Sequence, residues 1–131
     1  MWGKNNKTKY KSVRVDFDGH SFASQLEAAL YNILKLEKLA GIWSDLACQV
    51  QVRLGPAKIL YKPDFKMIDA QTGRTVYAEA KGLETASWRL KRRLWIAHET
   101  HELRIYKGTA RRIVLTETIH SGGFIECAKN K

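Results

Sequence analysis

Cysteine is nearly absent: Cys48 and Cys127 are the only two in 131 residues. Two are too few for a disulfide scaffold, and without C-x-x-C spacing they make no zinc knuckle, so reduced, buried thiols are expected. Long apolar runs are missing as well. None approaches the roughly 18 residues that cross a bilayer, and the opening Met1-Trp2-Gly3-Lys4 has neither the apolar stretch nor the small-residue cleavage site of a secretory signal. The expectation is a cytosolic protein with no membrane contact. No repeat, low-complexity tract or linker divides the chain, which excludes solenoids and predicts one domain. Acids are the last shortage: 13 Asp and Glu against 23 Lys and Arg leave a formal charge of +10. That excess attracts polyanions, of which nucleic acid is the commonest. Hydrophobic residues make up 44% of the chain, enough for a core and too many for a disordered segment.

Residues 1–14 carry Lys4, Lys7, Lys9, Lys11 and Arg14 with no acid and no apolar period, which predicts a basic N-terminal arm on a domain spanning 15–131. Val13, Val15 and Phe17 alternate with Arg14 and Asp16 up to Asp18-Gly19, the pattern of a short strand and turn. Leu26, Ala29, Leu30, Ile33, Leu34 and Ala40 then recur three and four apart, predicting a helix over 23–40 that Gly41 stops. Three strands are expected over 46–54, 59–68 and 75–80, with Gly55-Pro56 and Gly73 in the intervening turns, as an antiparallel meander. Helical period returns over 85–100, with Leu90, Leu94 and Ala97 on one side, and 102–106 reads as another strand. The segment 111–127 fits either an edge hairpin or a helix with a strand. The fold class is α/β: a central mixed sheet flanked by helices.

Within the meander stand Tyr61-Lys62-Pro63-Asp64-Phe65 and Tyr77-Ala78-Glu79-Ala80-Lys81-Gly82. Side chains alternate along a strand, so Glu79 and Lys81 share a face, and a hairpin through 69–74 returns the chain beside Asp64. Two carboxylates this close repel unless a cation lies between them, and carboxylate oxygens suit a hard divalent ion such as Mg²⁺, with Mn²⁺ able to substitute. Lys81 is the cationic companion. A solvated salt-bridge cluster on an ordinary sheet is the plainer reading. It leaves unexplained the proline before the aspartate and the apolar Ala78 and Ala80 flanking Glu79.

Pro-Asp, a spacer and Glu-x-Lys on successive strands resembles the motif of the PD-(D/E)xK nucleases. The stretch from Phe22 to about Tyr106 looks like the small phage enzymes related to the phage Holliday-junction resolving endonuclease, including Ser24-x-x-Glu27 and the basic helix after Lys81-Gly82. The resemblance implies a single restriction-endonuclease-like domain in the cytosol of a phage host. It implies catalysis by Glu27, Asp64, Glu79 and Lys81. Asp64, Glu79, the Ala80 carbonyl and Glu27 would hold metal, and the products would carry a 5′ phosphate. Glu27 has a second reading, because Ser24-Gln25-Leu26-Glu27 also fits a helix-capping box.

Trp88-Arg89-Leu90-Lys91-Arg92-Arg93-Leu94-Trp95 places Arg89, Arg92 and Arg93 on about one third of a helical turn, with no acid from Trp88 to His98. Arginine grips phosphate bidentately, so this face is expected on DNA together with Lys91, Lys62, Lys9 and Lys11. Trp88 and Trp95 are expected in the core or an interface. His98 and His101 lack the partners of a zinc motif, and Gln49 and Gln51, though the first meander strand could bring them towards the site, are read as exposed. The sequence therefore predicts a metal-dependent DNA endonuclease for four-way or other branched DNA. It is expected to act as a homodimer, with Trp2, Trp43 or 113–115 as candidate contacts, and without a small-molecule cofactor. The alternatives are a nicking or sequence-specific endonuclease, such as a transposition-type cutting subunit, and a non-catalytic basic DNA-binding module.

Overall fold

A computed structural model describes residues 14–128. Asp18 and Gly19, both at positive φ, turn a small hairpin of β1 (Val15–Phe17) and β2 (His20–Phe22). Ser24 then starts α1 (Gln25–Leu39), its hydroxyl accepting the Glu27 amide at 3.0 Å. Ala28, Leu30, Tyr31 and Leu34 form the buried face of that helix. The rest of the chain runs through β3 (Trp43–Cys48), β4 (Val52–Leu54), β5 (Ile59–Tyr61), β6 (Phe65–Asp69), β7 (Thr75–Ala80), α2 (Ala86–His98), β8 (Glu102–Thr109), β9 (Arg112–Ile119) and β10 (Ile125–Cys127).

Six strands form one mixed sheet in the order β10-β9-β8-β7-β6-β3. All neighbours are antiparallel except β7 and β8, which α2 joins as a parallel crossover. Alternation along β7 divides the core. Val76 and Ala78 pack with the α1 residues Leu30 and Leu34 and with Phe65 and Met67, while Tyr77 packs on the other face with Trp88, Trp95, Leu103 and Ile105. The expected α/β layers are present: a central sheet with a helix on each side.

Five expectations are corrected. The stretch 46–54 is not one strand, because Gln49 sits at φ 55°, a left-handed conformation that ends the ladder. The stretch 59–68 is likewise broken at Lys62-Pro63-Asp64, where Pro63 has no amide to donate. Between the breaks β4 and β5 form a separate hairpin, so the meander is β3-β6-β7 with this hairpin set outside the sheet. On α2 the buried face is Trp88 and Trp95 rather than Leu90, Leu94 and Ala97. Leu90 is 54% exposed and Ala97 is exposed, with Leu94 half-buried. Two indoles a heptad apart bury more apolar area than the smaller residues, and they decide the rotation of the helix. Trp43 is a core residue and offers no contact surface, and Cys127 is exposed. The open alternative over 111–127 resolves as the antiparallel hairpin β8–β9 with β10 on its edge. No described helix is long and apolar enough to cross a membrane.

Candidate active site

Phe65 pairs with Ala78 in the β6–β7 ladder, so the next step of that register sets Asp64 opposite Glu79. Both lie where β7 ends beside its parallel neighbour, and the Lys81 amide prolongs that contact by donating to the Tyr106 carbonyl at 2.9 Å. Asp64 Oδ2 accepts the Ala80 amide at 2.8 Å. Glu79, 6% exposed, accepts the Tyr61 hydroxyl on Oε1 at 2.9 Å and faces Lys81 Nζ with Oε2 at 3.3 Å. The Lys81 ammonium also lies 4.7 Å from the centre of the Trp88 ring, a cation–π contact that holds the charge without a second acid.

Glu27 joins them from α1, on the wall of a cavity of about 670 Å³ that Asp64, Glu79, Ala80 and Lys81 also line. Both readings of Glu27 hold. Its Oε1 accepts the Ala23 amide at 3.3 Å, which is capping, while Oε2 accepts Gln49 Nε2 at 2.9 Å within the site. The sequence thus brought together the four residues that the structure gathers: Glu27, Asp64, Glu79 and Lys81.

Burial pushes the Asp64 carboxyl well above its ordinary range, the charges of Glu79 and Glu27 push it further, and the Ala80 amide and Lys81 only partly oppose them. Burial also raises Glu79 against the pull of Lys81 and Tyr61, and it raises Glu27, which is 4% exposed. The Cys48 thiol is pushed up to about 11 by burial and by the charges of Glu27 and Asp64, so it stays protonated and unreactive. Desolvated carboxylates with one nearby ammonium lack positive charge, and that deficit is what a divalent cation supplies. Among the described residues no three His, Cys, Asp or Glu side chains close into a ready-made metal cage. Asp64 and Glu79 are the side chains that could hold a hard cation here, of the kind that keeps waters and takes only one or two carboxylates.

The structure adds two residues to the site: Tyr61, which carries no assigned role in the sequence, and Gln49, whose expected exposure gives way to a contact within the site. Their partners Glu79 and Glu27 stand 18 and 22 positions away, so no local pattern signals either contact.

The DNA-facing assignments divide. Arg93 is exposed, and Arg89 is exposed with one guanidinium nitrogen donating to the Glu84 carbonyl. Arg92 is held by Glu117 through two nitrogens and is therefore partly committed to β9. The α2 face has no acid of its own, yet Glu84 and Glu117 stand with Arg89, Arg92, Arg93 and Lys107 around one cavity. Lys91 and Lys62 lie elsewhere, together on a smaller cavity beside Lys81. Lys9 and Lys11 fall outside the described residues. His98 is the last residue of α2, and His101 pairs with Glu99.

A family model described as "Protein of unknown function (DUF1064)" matches residues 7–111. The chain belongs to this family. No curated protein matches it. The part of the chain that matches DUF1064 contains all of α1, β3–β8 and α2, and with them Glu27, Gln49, Tyr61, Asp64, Glu79 and Lys81. β9 and β10 lie beyond the match.

Proposed function

We propose that the chain is a metal-dependent endonuclease that hydrolyses phosphodiester bonds in branched DNA, four-way junctions foremost. One observation carries the reading: half-buried Asp64 and buried Glu79 stand opposite each other, short of positive charge, with Lys81 beside them on an open cavity. The arrangement agrees with the PD-(D/E)xK pattern read in the sequence. The +10 charge and the exposed arginines of α2 supply a polyanion-binding surface.

Asp64, Glu79 and the Ala80 carbonyl would hold Mg²⁺, with Glu27 at the margin. Once bound, the ion would supply the Lewis acidity that lowers the pKa of the attacking water and offsets charge on the reacting phosphate. Lys81 positions the attacking water or offsets the charge gathering on the phosphoryl oxygens. Tyr61 and Gln49 fix the carboxylates of Glu79 and Glu27 so that the site keeps its shape when phosphate arrives. Water adds to phosphorus, the bond to the 3′ oxygen breaks, and that oxygen leaves as a hydroxyl while the phosphate stays on the 5′ end. Cutting a junction needs two such events in symmetry-related strands, so the active form is a dimer with one site per chain.

The test is incubation with labelled junction, flap, nicked, duplex and single-stranded DNA, each with Mg²⁺ or with chelator. Mg²⁺-dependent cutting of the junction in preference to duplex is the expected result. Tight binding with no cutting of any substrate would make the chain a non-catalytic DNA-binding module. Preferential cutting of nicked or duplex DNA would move the substrate from branch to nick or sequence.

A further inference from the structure

A second cavity, about 300 Å³, shares Glu79 and Lys81 with the main one. Its chemistry differs. Lys62, Lys81 and Lys91 all line it, and the one acid on its wall is Glu79, whose oxygens already serve Tyr61 and Lys81. Among the described residues neither Lys62 nor Lys91 pairs with a carboxylate. The start of α2 borders the same space through Thr85, Ser87 and Trp88.

That helix start is open to an anion. Thr85 caps it by accepting the Trp88 amide at 3.0 Å, and its carbonyl takes the Arg89 amide. The amides of Ala86 and Ser87 have no partner among the described residues, and the first turn holds no acid. The positive end of the helix dipole therefore adds to the lysine charge. Trp88, 3% exposed, lends the cavity its ring, on which the Lys81 ammonium rests at 4.7 Å; its sealed indole N–H, without a hydrogen bond among the described residues, is not counted among the donors.

We propose that this second cavity is a phosphate subsite, seating the backbone phosphate next to the one that reacts beside Asp64 and Glu79. Lys62 and Lys91 share its charge, and the Ser87 hydroxyl with the leading amides of α2 donate to its oxygens. Lys81 stands between the two positions, so a strand seated in both is fixed in register against the carboxylates. The proposal rests on the DNA-nuclease reading and adds to it where the second phosphate sits.

Two lysines on one phosphate and two lysines on separate phosphates give different salt dependences. The measurement is duplex DNA affinity against salt, in chelator so that nothing is cut, for wild type, Lys62→Met, Lys91→Met and the double variant, with circular dichroism to confirm folding. Each single variant is expected to bind about tenfold more weakly, the scale of one charge-assisted hydrogen bond, with the log–log slope unchanged because the other lysine still neutralises the phosphate. The double variant should lower that slope by about 0.9, one phosphate's worth. Ser87→Asp, which puts a carboxylate in the cavity, should weaken binding more than Ser87→Ala. A double-variant slope equal to wild type, or lowered by about twice 0.9, overturns the subsite. Cleavage with Mg²⁺ by the same proteins separates the two readings. Wild type that binds as expected and never cuts removes the nuclease and leaves the subsite, whereas wild type without affinity for DNA removes both.

Discussion

At Asp64 the fold holds a carboxyl whose proton is hard to remove, because burial and the neighbouring charges of Glu79 and Glu27 outweigh one amide and one ammonium. On unfolding the group returns to its ordinary value of 3.8, so as pH rises the unfolded chain loses this proton first. The stability contributed here is whole at acid pH and is lost as pH climbs towards the folded-state value. In chelator, the melting temperature of wild type relative to Asp64→Asn is expected to fall between about pH 5 and about pH 8, and Mg²⁺ should restore it in wild type alone. A difference that grows with pH would show that the carboxylates are already satisfied. Cleavage gives the companion result. Asp64→Ala and Glu79→Ala should abolish cutting while DNA binding persists or tightens, since less negative charge faces the phosphates. Lys81→Ala should slow the chemical step about a hundredfold or more. Tyr61→Phe removes the hydroxyl from a buried carboxylate and should cost about 1–3 kcal/mol in urea unfolding near neutral pH.

α2 couples the core to the basic surface proposed to meet DNA through single side chains. Arg93 is exposed, whereas Arg92 is tied to Glu117 on β9. Arg93→Ala should therefore weaken DNA binding with unfolding unchanged, while Arg92→Ala should lower both, because Glu117 is left without its partner. Equal effects of the two variants on stability would mean that the ion pair contributes nothing. The β8–β9 hairpin has its own sensitive point at Gly108, with φ 114° and space for a Cβ only 2.1 Å from the Arg112 carbonyl oxygen. Neither backbone can yield without breaking the ladder, so Gly108→Ala should cost at least about 2 kcal/mol in thermal or urea unfolding.

The molecule as a whole presents one set of Glu27, Asp64, Glu79 and Lys81, and paired incision in a junction requires two. Light scattering should therefore find a dimer at micromolar protein, free or with junction DNA bound. With Trp43 buried in the core and Trp2 outside the described residues, Val114, 41% exposed on β9, is the place among the earlier candidates to probe, and Val114→Asp should shift the mass towards monomer. A monomer in both states, cutting one strand, would turn the reading to a nickase or flap nuclease.

Local patterns sufficed for much of this protein. Period 3.6 marked α1 and α2, and Gly73 marked the β6–β7 turn. The alternation rule then put Glu79 and Lys81 on one face opposite Asp64, because a tight hairpin leaves little freedom between its strands. The sequence by itself thus determined the α/β class and the meeting of Asp64, Glu79 and Lys81, while Glu27 joined them only through the family resemblance. Tertiary structure alone decided what has no local signal. The rotation of α2 follows competition among side chains for a core that Tyr61, Tyr77 and Leu103 help to build. The β4–β5 hairpin leaves the sheet because Gln49 adopts a left-handed backbone, and its two ends deliver Gln49 to Glu27 and Tyr61 to Glu79. Arg92 looked free on the helical wheel until β9 brought Glu117 beside it. Each of these depends on contacts between distant parts of the chain, whose energies exceed the local preferences that a sequence displays.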